Sequence, residues 1–330
     1  MAGATLKDVA REANVSIASA SRAINGLDNV AEAVKLRVLE AAGRLRYVPH
    51  GGARSLVTSR TNTIGVLLPD IYGEFFAEII RGVDVAARAR GLHLLVSGSH
   101  GNPDEAVLIM RAMGGRVDGL LVMSPFVESH DLVAILPLSL PVVTIASRIG
   151  SGQGSISVDN FGGGVTAVKH LLEQGCKRLA HISGPSQNFE AEERKRGFLS
   201  AVSQPSPAVF EGDFTEESGY RGAKAFLASG PLPDGIFVAN DMMAVGCLLA
   251  LSEAGVKVPQ DVALVGFDDI PIARFTSPPL TTLRVGIFDL GRRGLELLVA
   301  ALDEGGMQEH EGLVVTPELV LRDSSRHKTG

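Results

Sequence analysis

Thr5 to Asn25, TLKDVAREANVSIASASRAIN, is the stretch that decides the fold of this chain. It reads as two short helices joined by a tight turn. Thr5 is placed to cap the first helix, with Asp8 three residues on as the reciprocal acid. Leu6, Val9, Ala10 and Ala13 then recur at helical spacing. Asn14 follows, a residue type that tolerates a left-handed turn. Val15 re-enters the core and Ser16 caps the second helix. In that helix Ala20, Ala23 and Ile24 face inward, and Ile17, Ala18, Ser21, Arg22 and Asn25 are left outside. Small alanines at Ala10 and Ala20 let the helices cross closely. This is the pattern of a helix-turn-helix, whose second helix enters the DNA major groove.

The bulk numbers fit a cytoplasmic globular protein. With 330 residues the chain is long enough for two or three domains. No apolar run reaches membrane-spanning length, and the N-terminus lacks a signal-peptide core. Cys176 and Cys247 are the only cysteines and read as buried thiols. The net charge of −6 argues against a nucleic-acid binder, but its distribution reverses that. Residues 1–60 carry nine cations against five anions, a net of +4; the remaining 270 carry 22 against 32, a net of −10. A basic head on an acidic body confines phosphate binding to one end.

Working outward, Gly26 to Asn29 is a polar loop and a third helix runs from Glu32 to Leu45, with Val34, Val38, Leu39 and Ala42 inward. Ala31 stands at its start, where a capping Ser or Thr is wanted, and Asn29 offers an offset cap. Tyr47-Val48-Pro49 closes this unit, because Pro49 cannot continue a helix. From Thr63 the pattern changes to alternating apolar strands and amphipathic helices, in two successive series. That alternation means parallel sheets covered on both faces, so the fold class is an all-α headpiece followed by an α/β domain of two doubly wound subdomains. A short helix is expected at Asp131 to Leu136.

TLKDVAREANVS, SRAING and RYVPHGGARSL resemble the DNA-binding headpiece of the LacI/GalR family of bacterial transcriptional regulators. PDIYGEFF, SVDNFGG, GPSQNFEAEERKRGF, FVANDMMAVG, VPQDVALVGFDDIP and SPPLTTLRV resemble, in order, the family's periplasmic-binding-protein-like sensor domain. The resemblance implies a headpiece over 1–49, a hinge over 50–61 and an effector domain over 62–330. Its first subdomain spans about 62–158 and 289–312, its second about 159–288 and 313–330. Leu290–Leu302 is expected to pack on the first, and one strand, Leu313 to Arg322, to complete the second. The hinge is a helix that folds when two subunits meet over the minor groove, with Leu56 as the base-step wedge and Ala53 beside it. Gly51-Gly52 departs from that pattern, at about 1 kcal/mol per glycine in a helix, and His50 replaces the usual asparagine. The DNA-facing set is then Thr5, Ser16, Ile17, Ala18, Ser21, Arg22, Asn25, Tyr47, Ala53 and Leu56.

Ligands of open parallel sheets bind beyond the carboxyl ends of the strands, here in the cleft between subdomains. The residues expected there are Phe75, Ser124, Asp159, Arg194, Phe237, Asn240 and Asp268. By resemblance Arg194 is the effector-clamping arginine and Asp268 the acid that bonds ligand hydroxyls or ring nitrogens. Asp, Asn and Arg suit a polyol. Asp241 serves equally as a cap for the helix at Met242, Asp159 equally as a cap for the helix at Gly163, and Asp269 reads as structural. Ala146 stands where many members carry a polar residue, with Ser147 or Arg148 as replacements.

No GxSxG elbow, HExxH helix, P-loop or CxxC is present, and the eight histidines show no metal spacing. No enzyme, cofactor or metal is expected. The expected partners are double-stranded operator DNA, a sugar-like effector and a second copy of the chain. A repressor of carbohydrate-related genes is the leading expectation. A carbon regulator controlled by a protein co-regulator, a solute-capture protein and a sugar-converting enzyme are the competitors.

Overall fold

The computed structural model describes residues 4–25, 30–48, 60–126, 140–147, 154–304 and 312–325. They divide between Asn62 and Thr63 into two compact units.

In the first unit α1 spans Leu6–Glu12, α2 Ile17–Ile24 and α3 Glu32–Arg44. Thr5 and Asp8 close a full capping box: Asp8 N donates to Thr5 Oγ1 at 3.3 Å and Thr5 N to Asp8 Oδ2 at 3.0 Å. Asn14 turns the chain at φ 52°, and Ser16 Oγ accepts from Ser19 N at 3.0 Å to start α2. The core is Val9, Ala10, Ala13, Ala20, Ala23, Val38 and Ala41. Leu39 is a correction: it is 47% exposed, and Ala41 holds the inward position instead. The stripe runs 34, 38, 41, 42, 45, and Leu39 lies one helical step of about 100° off it. Ala31 caps α3 with no side-chain bond; Asn29, the expected offset cap, lies outside the described residues, as do Pro49, His50, Gly51-Gly52, Ala53 and Leu56.

The second unit holds two lobes. The strands of the first are β1 Thr63–Leu68, β2 His93–Gly98, β3 Gly119–Val122, β4 Val142–Ile145, β5 Ser155–Val158 and β11 Leu313–Val315. They lie in the order β11-β5-β4-β3-β1-β2, all parallel. The second lobe is built from β6 Leu179–Ser183, β7 Ala208–Glu211, β8 Gly235–Val238 and β9 Ala263–Val265, in the order β7-β6-β8-β9. The central strands are buried along their length, because helices cover both faces. In the first lobe these are α4 Glu74–Arg88 and α5 Pro103–Met113. In the second they are α6 Asn160–Glu173, α7 Phe189–Ala201, α8 Glu216–Ala228 and α9 Asp241–Glu253. α10, Ile287–Asp303, returns to pack on α4 and on β3 and β4 of the first lobe.

The single last strand is corrected. Leu313–Val315 joins the edge of the first sheet beside β5, while β12, Glu318–Val320, pairs antiparallel with β10, Thr282–Arg284. Pro317 separates the two, since a proline has no N–H to continue a ladder. The helix expected at Asp131–Leu136 lies outside the described residues.

Three helix pairs cross through reciprocal glycines. A Cβ on Gly82 would meet Phe288 O at 2.0 Å and one on Gly291 would meet Ile79 O at 2.2 Å; Gly219 and Gly246 face Met243 O and Glu216 O at 1.9 and 1.8 Å. At the α6–α7 crossing, Gly164 faces Arg194 O at 2.4 Å and Gly197 faces Phe161 O at 2.3 Å. That last crossing sets the height of Arg194 above the sheet. Gly164→Ala is therefore expected to destabilise the chain by about 1–3 kcal/mol, the range for overpacking against backbone, and to displace Arg194. Urea unfolding checks it; an unchanged midpoint would show that the helices can part without cost.

Candidate DNA-reading face and ligand cleft

α2 presents Ile17, Ala18 and Arg22 to solvent. Arg22 has no ion-pair partner among the described residues, whereas Arg11 pairs with Asp8 and Arg44 with Glu12. Ser21 and Asn25, expected outside, are half-buried, and Asn25 Nδ2 donates to Ser21 Oγ at 3.4 Å. Thr5 and Ser16 hold caps, and Tyr47 packs against the core of the unit. The readable face of α2 is thus narrower than the sequence suggests. Ala53 and Leu56 lie outside the described residues.

Between the lobes lies a cleft of about 900 Å³, partly open to solvent. The first lobe contributes an apolar wall with Phe75, Phe76, Met123 and Phe126, set by the start of α4 and the ends of the strands. The second contributes Arg194, Glu190 and Asn188 from α7 and its cap, Asn240 and Met242 at the start of α9, Asp213 and Phe214 after β7, and Asp268 after β9. Hydrogen bonds join the lobes, among them Ile272 N donating to Glu74 Oε2 at 2.8 Å and Phe189 N to Pro125 O at 3.3 Å.

The polar floor is a connected set. Arg194, 5% exposed, donates through Nε to Asn160 Oδ1 at 2.7 Å and through Nη1 to Ala239 O, and its guanidinium lies 3.8 Å over the Phe267 ring. Asn160 Nδ2 donates in turn to Glu190 Oε1 at 3.2 Å. Asp268 is 5% exposed and sits at φ 106°, a strained geometry for a side-chain-bearing residue. Its Oδ1 lies 3.5 Å from Arg194 Nη2, close enough for an ion pair, yet accepts no hydrogen bond. Burial pushes the Asp268 carboxyl up to about 7, against the Arg194 charge and with help from Glu190. Burial likewise raises Glu190.

Of the residues expected in the cleft, Phe75, Arg194, Asn240 and Asp268 line it. Ser124, Asp159 and Phe237 do not, which corrects those three. Ser124 is buried and its N–H donates to Ser147 Oγ at 2.8 Å. Asp159 accepts from Gly162 N at 2.8 Å and caps α6. Phe237 is wholly buried on β8, stacked on His181 at 4.7 Å. Ser147 bonds Ile145 O as well and so does not stand in for the polar group missing at Ala146; Arg148 lies outside the described residues. Asn240, not Asp241, caps α9 through Met243 N at 3.0 Å. Asp241 instead anchors Thr282 Oγ1 and Ile270 N at 2.6 and 3.0 Å. Asp269 pairs with Arg284 and Arg322, a structural role.

Glu190 was the findable omission: it lies one turn before Arg194, on the same helical face. Phe214 reaches the cleft from the loop after β7 and Met242 from the first turn of α9, and neither carried a local signal. Among the described residues no group is placed to hold a metal ion, and no helix is long and apolar enough to cross a membrane.

Residues 5–50 match the family described as bacterial regulatory proteins, lacI family, and residues 168–325 match the periplasmic binding protein-like domain. The chain is 35% identical over 329 residues to the HTH-type transcriptional repressor PurR of Histophilus somni strain 129Pt, covering 97% of this chain and 98% of that one. Among solved structures, the lac repressor dimer bound to operator and the anti-inducer ONPF is 26% identical with a TM-score of 0.87, covering 99% of this chain and 100% of that one. The complex of the transcriptional regulator CelR with cellobiose is 30% identical, with a TM-score of 0.72 and coverages of 98% and 100%.

Proposed function

This chain belongs to the lacI family of bacterial regulatory proteins, is a DNA-binding transcriptional repressor rather than an enzyme, and from that premise we propose that it acts as a homodimer on a palindromic operator under control of a small molecule in the interlobe cleft. The observation that carries the proposal is Asp268. A carboxyl held in the cleft floor with an unsatisfied buried oxygen is costly to folding, and a ligand donor supplies the missing bond. The similar CelR and lac repressor structures are described with small molecules, which supports a receptor role for the same fold. The ligand we infer has one apolar face for Phe75, Phe76 and Phe126 and an edge of N–H or O–H donors. A sugar or a nucleobase meets that description, and a sugar keeps the target genes within carbohydrate metabolism.

Two lobes joined by Glu74–Ile272 and Phe189–Pro125 bonds close and open around that ligand. Closure shifts the spacing of the headpieces in the dimer, and DNA must reciprocally alter ligand affinity. Each headpiece lays α2 in the major groove, with Arg22 reading base edges and Ile17 and Ala18 meeting thymine methyls. A random-sequence duplex pool, selected on the full chain at about physiological salt, is expected to yield a two-fold symmetric site. Enrichment of a single asymmetric half-site, or of none, would remove the dimeric-operator reading.

A further inference from the structure

α3 carries two faces. Val34, Val38 and Ala41 pack into the core of the headpiece. On the opposite face Leu36 and Leu39 stand 54% and 47% exposed. They share one stripe of the helix, with Glu32 one turn before Leu36 and Gly43 one turn after Leu39. Two leucines side by side on so small a unit leave apolar area in water that a partner would remove.

Gly43 is a second sign. Every other glycine inside a described helix has a neighbour that an added Cβ would strike at under 3 Å, whereas a Cβ on Gly43 would meet nothing within 4 Å. Glycine weakens a helix, and crowding within the chain explains the others. Gly43 is open to a close approach from outside. The flanking charges name what approaches. Written as a heptad, Leu36 and Leu39 take the two seam positions, a and d, with Lys35 at g and Glu40 at e. Neither Lys35 nor Glu40 has an ion-pair partner among the described residues. Two copies of α3 lying parallel set Lys35 of each against Glu40 of the other. Antiparallel copies would set lysine against lysine and glutamate against glutamate. The charges therefore fit a second, parallel α3, closest at Gly43 and diverging toward Glu32, which stays in water.

We propose, building on the operator reading above, that this face joins headpieces of two dimers on neighbouring operators and makes their binding cooperative. The half-sites of one palindrome are held about 34–36 Å apart, whereas helices in side-chain contact lie about 8–10 Å apart. The spacing between two operators carries no such restriction. One heptad is too short to hold free chains together, so the contact acts where DNA already places two headpieces side by side.

The test uses the full chain in footprint titrations on duplexes with one or two copies of the selected operator, the gap between copies scanned over about 10 base pairs, one helical turn. At the favoured gap the second dimer is expected to bind about ten-fold tighter than the first, and Leu36→Gln/Leu39→Gln to bring that ratio below about two. Affinity for a single operator should not change, which also reports that the exposed substitutions leave the headpiece folded. Lys35→Glu or Glu40→Lys alone should lower the ratio, and the double exchange, which returns the net charge to its original value, should restore it. Independent binding at every gap, cooperativity that survives the paired glutamines, or a double exchange that restores nothing would each overturn the proposal while tight binding to one operator leaves the operator reading standing. A parent chain that selects no symmetric operator defeats that reading, and this inference falls with it.

Discussion

Arg22→Ala is expected to lower affinity for the selected operator by about thirty-fold to twenty-thousand-fold while leaving ligand binding in the cleft unchanged. The size follows from symmetry. One bidentate contact to a base edge discriminates by about 1–3 kcal/mol, a palindrome engages two copies, and each 1.4 kcal/mol is about a factor of ten. The side chain is free to make that contact, being exposed and without an ion-pair partner among the described residues, unlike Arg11 and Arg44 of the flanking helices. Non-specific binding should survive, because it rests on phosphates and on the remaining cations of the headpiece. Gel-shift titrations on the operator and on a scrambled duplex separate the cases. A uniform loss on both sequences would make Arg22 a phosphate contact, and specificity would then rest on Ile17, Ala18 and the neighbouring backbone.

The headpiece was legible in the sequence because its signals are local. Thr5 with Asp8, Asn14 at the turn and Ser16 before α2 each act within one helical turn, and each is where the residue type demands. Leu39 was misplaced because, in a unit this small, a leucine one step off the stripe has nothing left to cover it. The sheets were legible for a similar reason: continuous apolar runs between amphipathic helices specify buried parallel strands. What the sequence did not disclose is where the chain crosses between lobes for the last time. Pro317 was the available sign, and its effect is to end one strand and begin another in a different sheet.

The cleft was legible only in part, for a different reason. Asp268, Asn240 and Arg194 follow strands or sit on the next helix, so topology points to them. Whether such a residue faces the cleft, caps a helix or sinks into the core is a matter of one or two side-chain rotations. Asp159 turned to a backbone partner, the Ser124 side chain is buried while its backbone N–H donates to Ser147 Oγ, and Phe237 went to the stack with His181. Asn160, beside Asp159, became the link between Arg194 and Glu190. No periodicity encodes those choices.

Asp268 carries the second large effect. Asp268→Asn is expected to melt at a higher temperature than the parent chain at pH 8 and to match it near pH 4, while losing at least ten-fold in ligand affinity. The folded carboxyl titrates at about 7 instead of the usual 3.8, so between those values the native state holds a proton that the unfolded chain has lost. Its contribution to stability is therefore intact at low pH, falls as pH rises from about 4 to 7, and stays low above that. An amide of the same shape has no such loss, and asparagine tolerates the positive φ at this position. Each tenfold change in proton affinity between the folded and unfolded chain is worth about 1.4 kcal/mol, so the gain at pH 8 is on the order of a few kcal/mol. Arg194 keeps its bonds to Asn160 and the Ala239 carbonyl, and Glu190, held by Asn160, stays within reach of its charge, so the variant does not strand the guanidinium. Affinity falls because a hydrogen bond to a charged acceptor is about twice as strong as one to a neutral amide. Melting curves from pH 4 to 8 for both proteins, with and without a cleft ligand, read both effects at once. A pH-independent difference in Tm would mean that the carboxyl is not strained by its burial, and the argument that a ligand is needed to satisfy it would lose its footing.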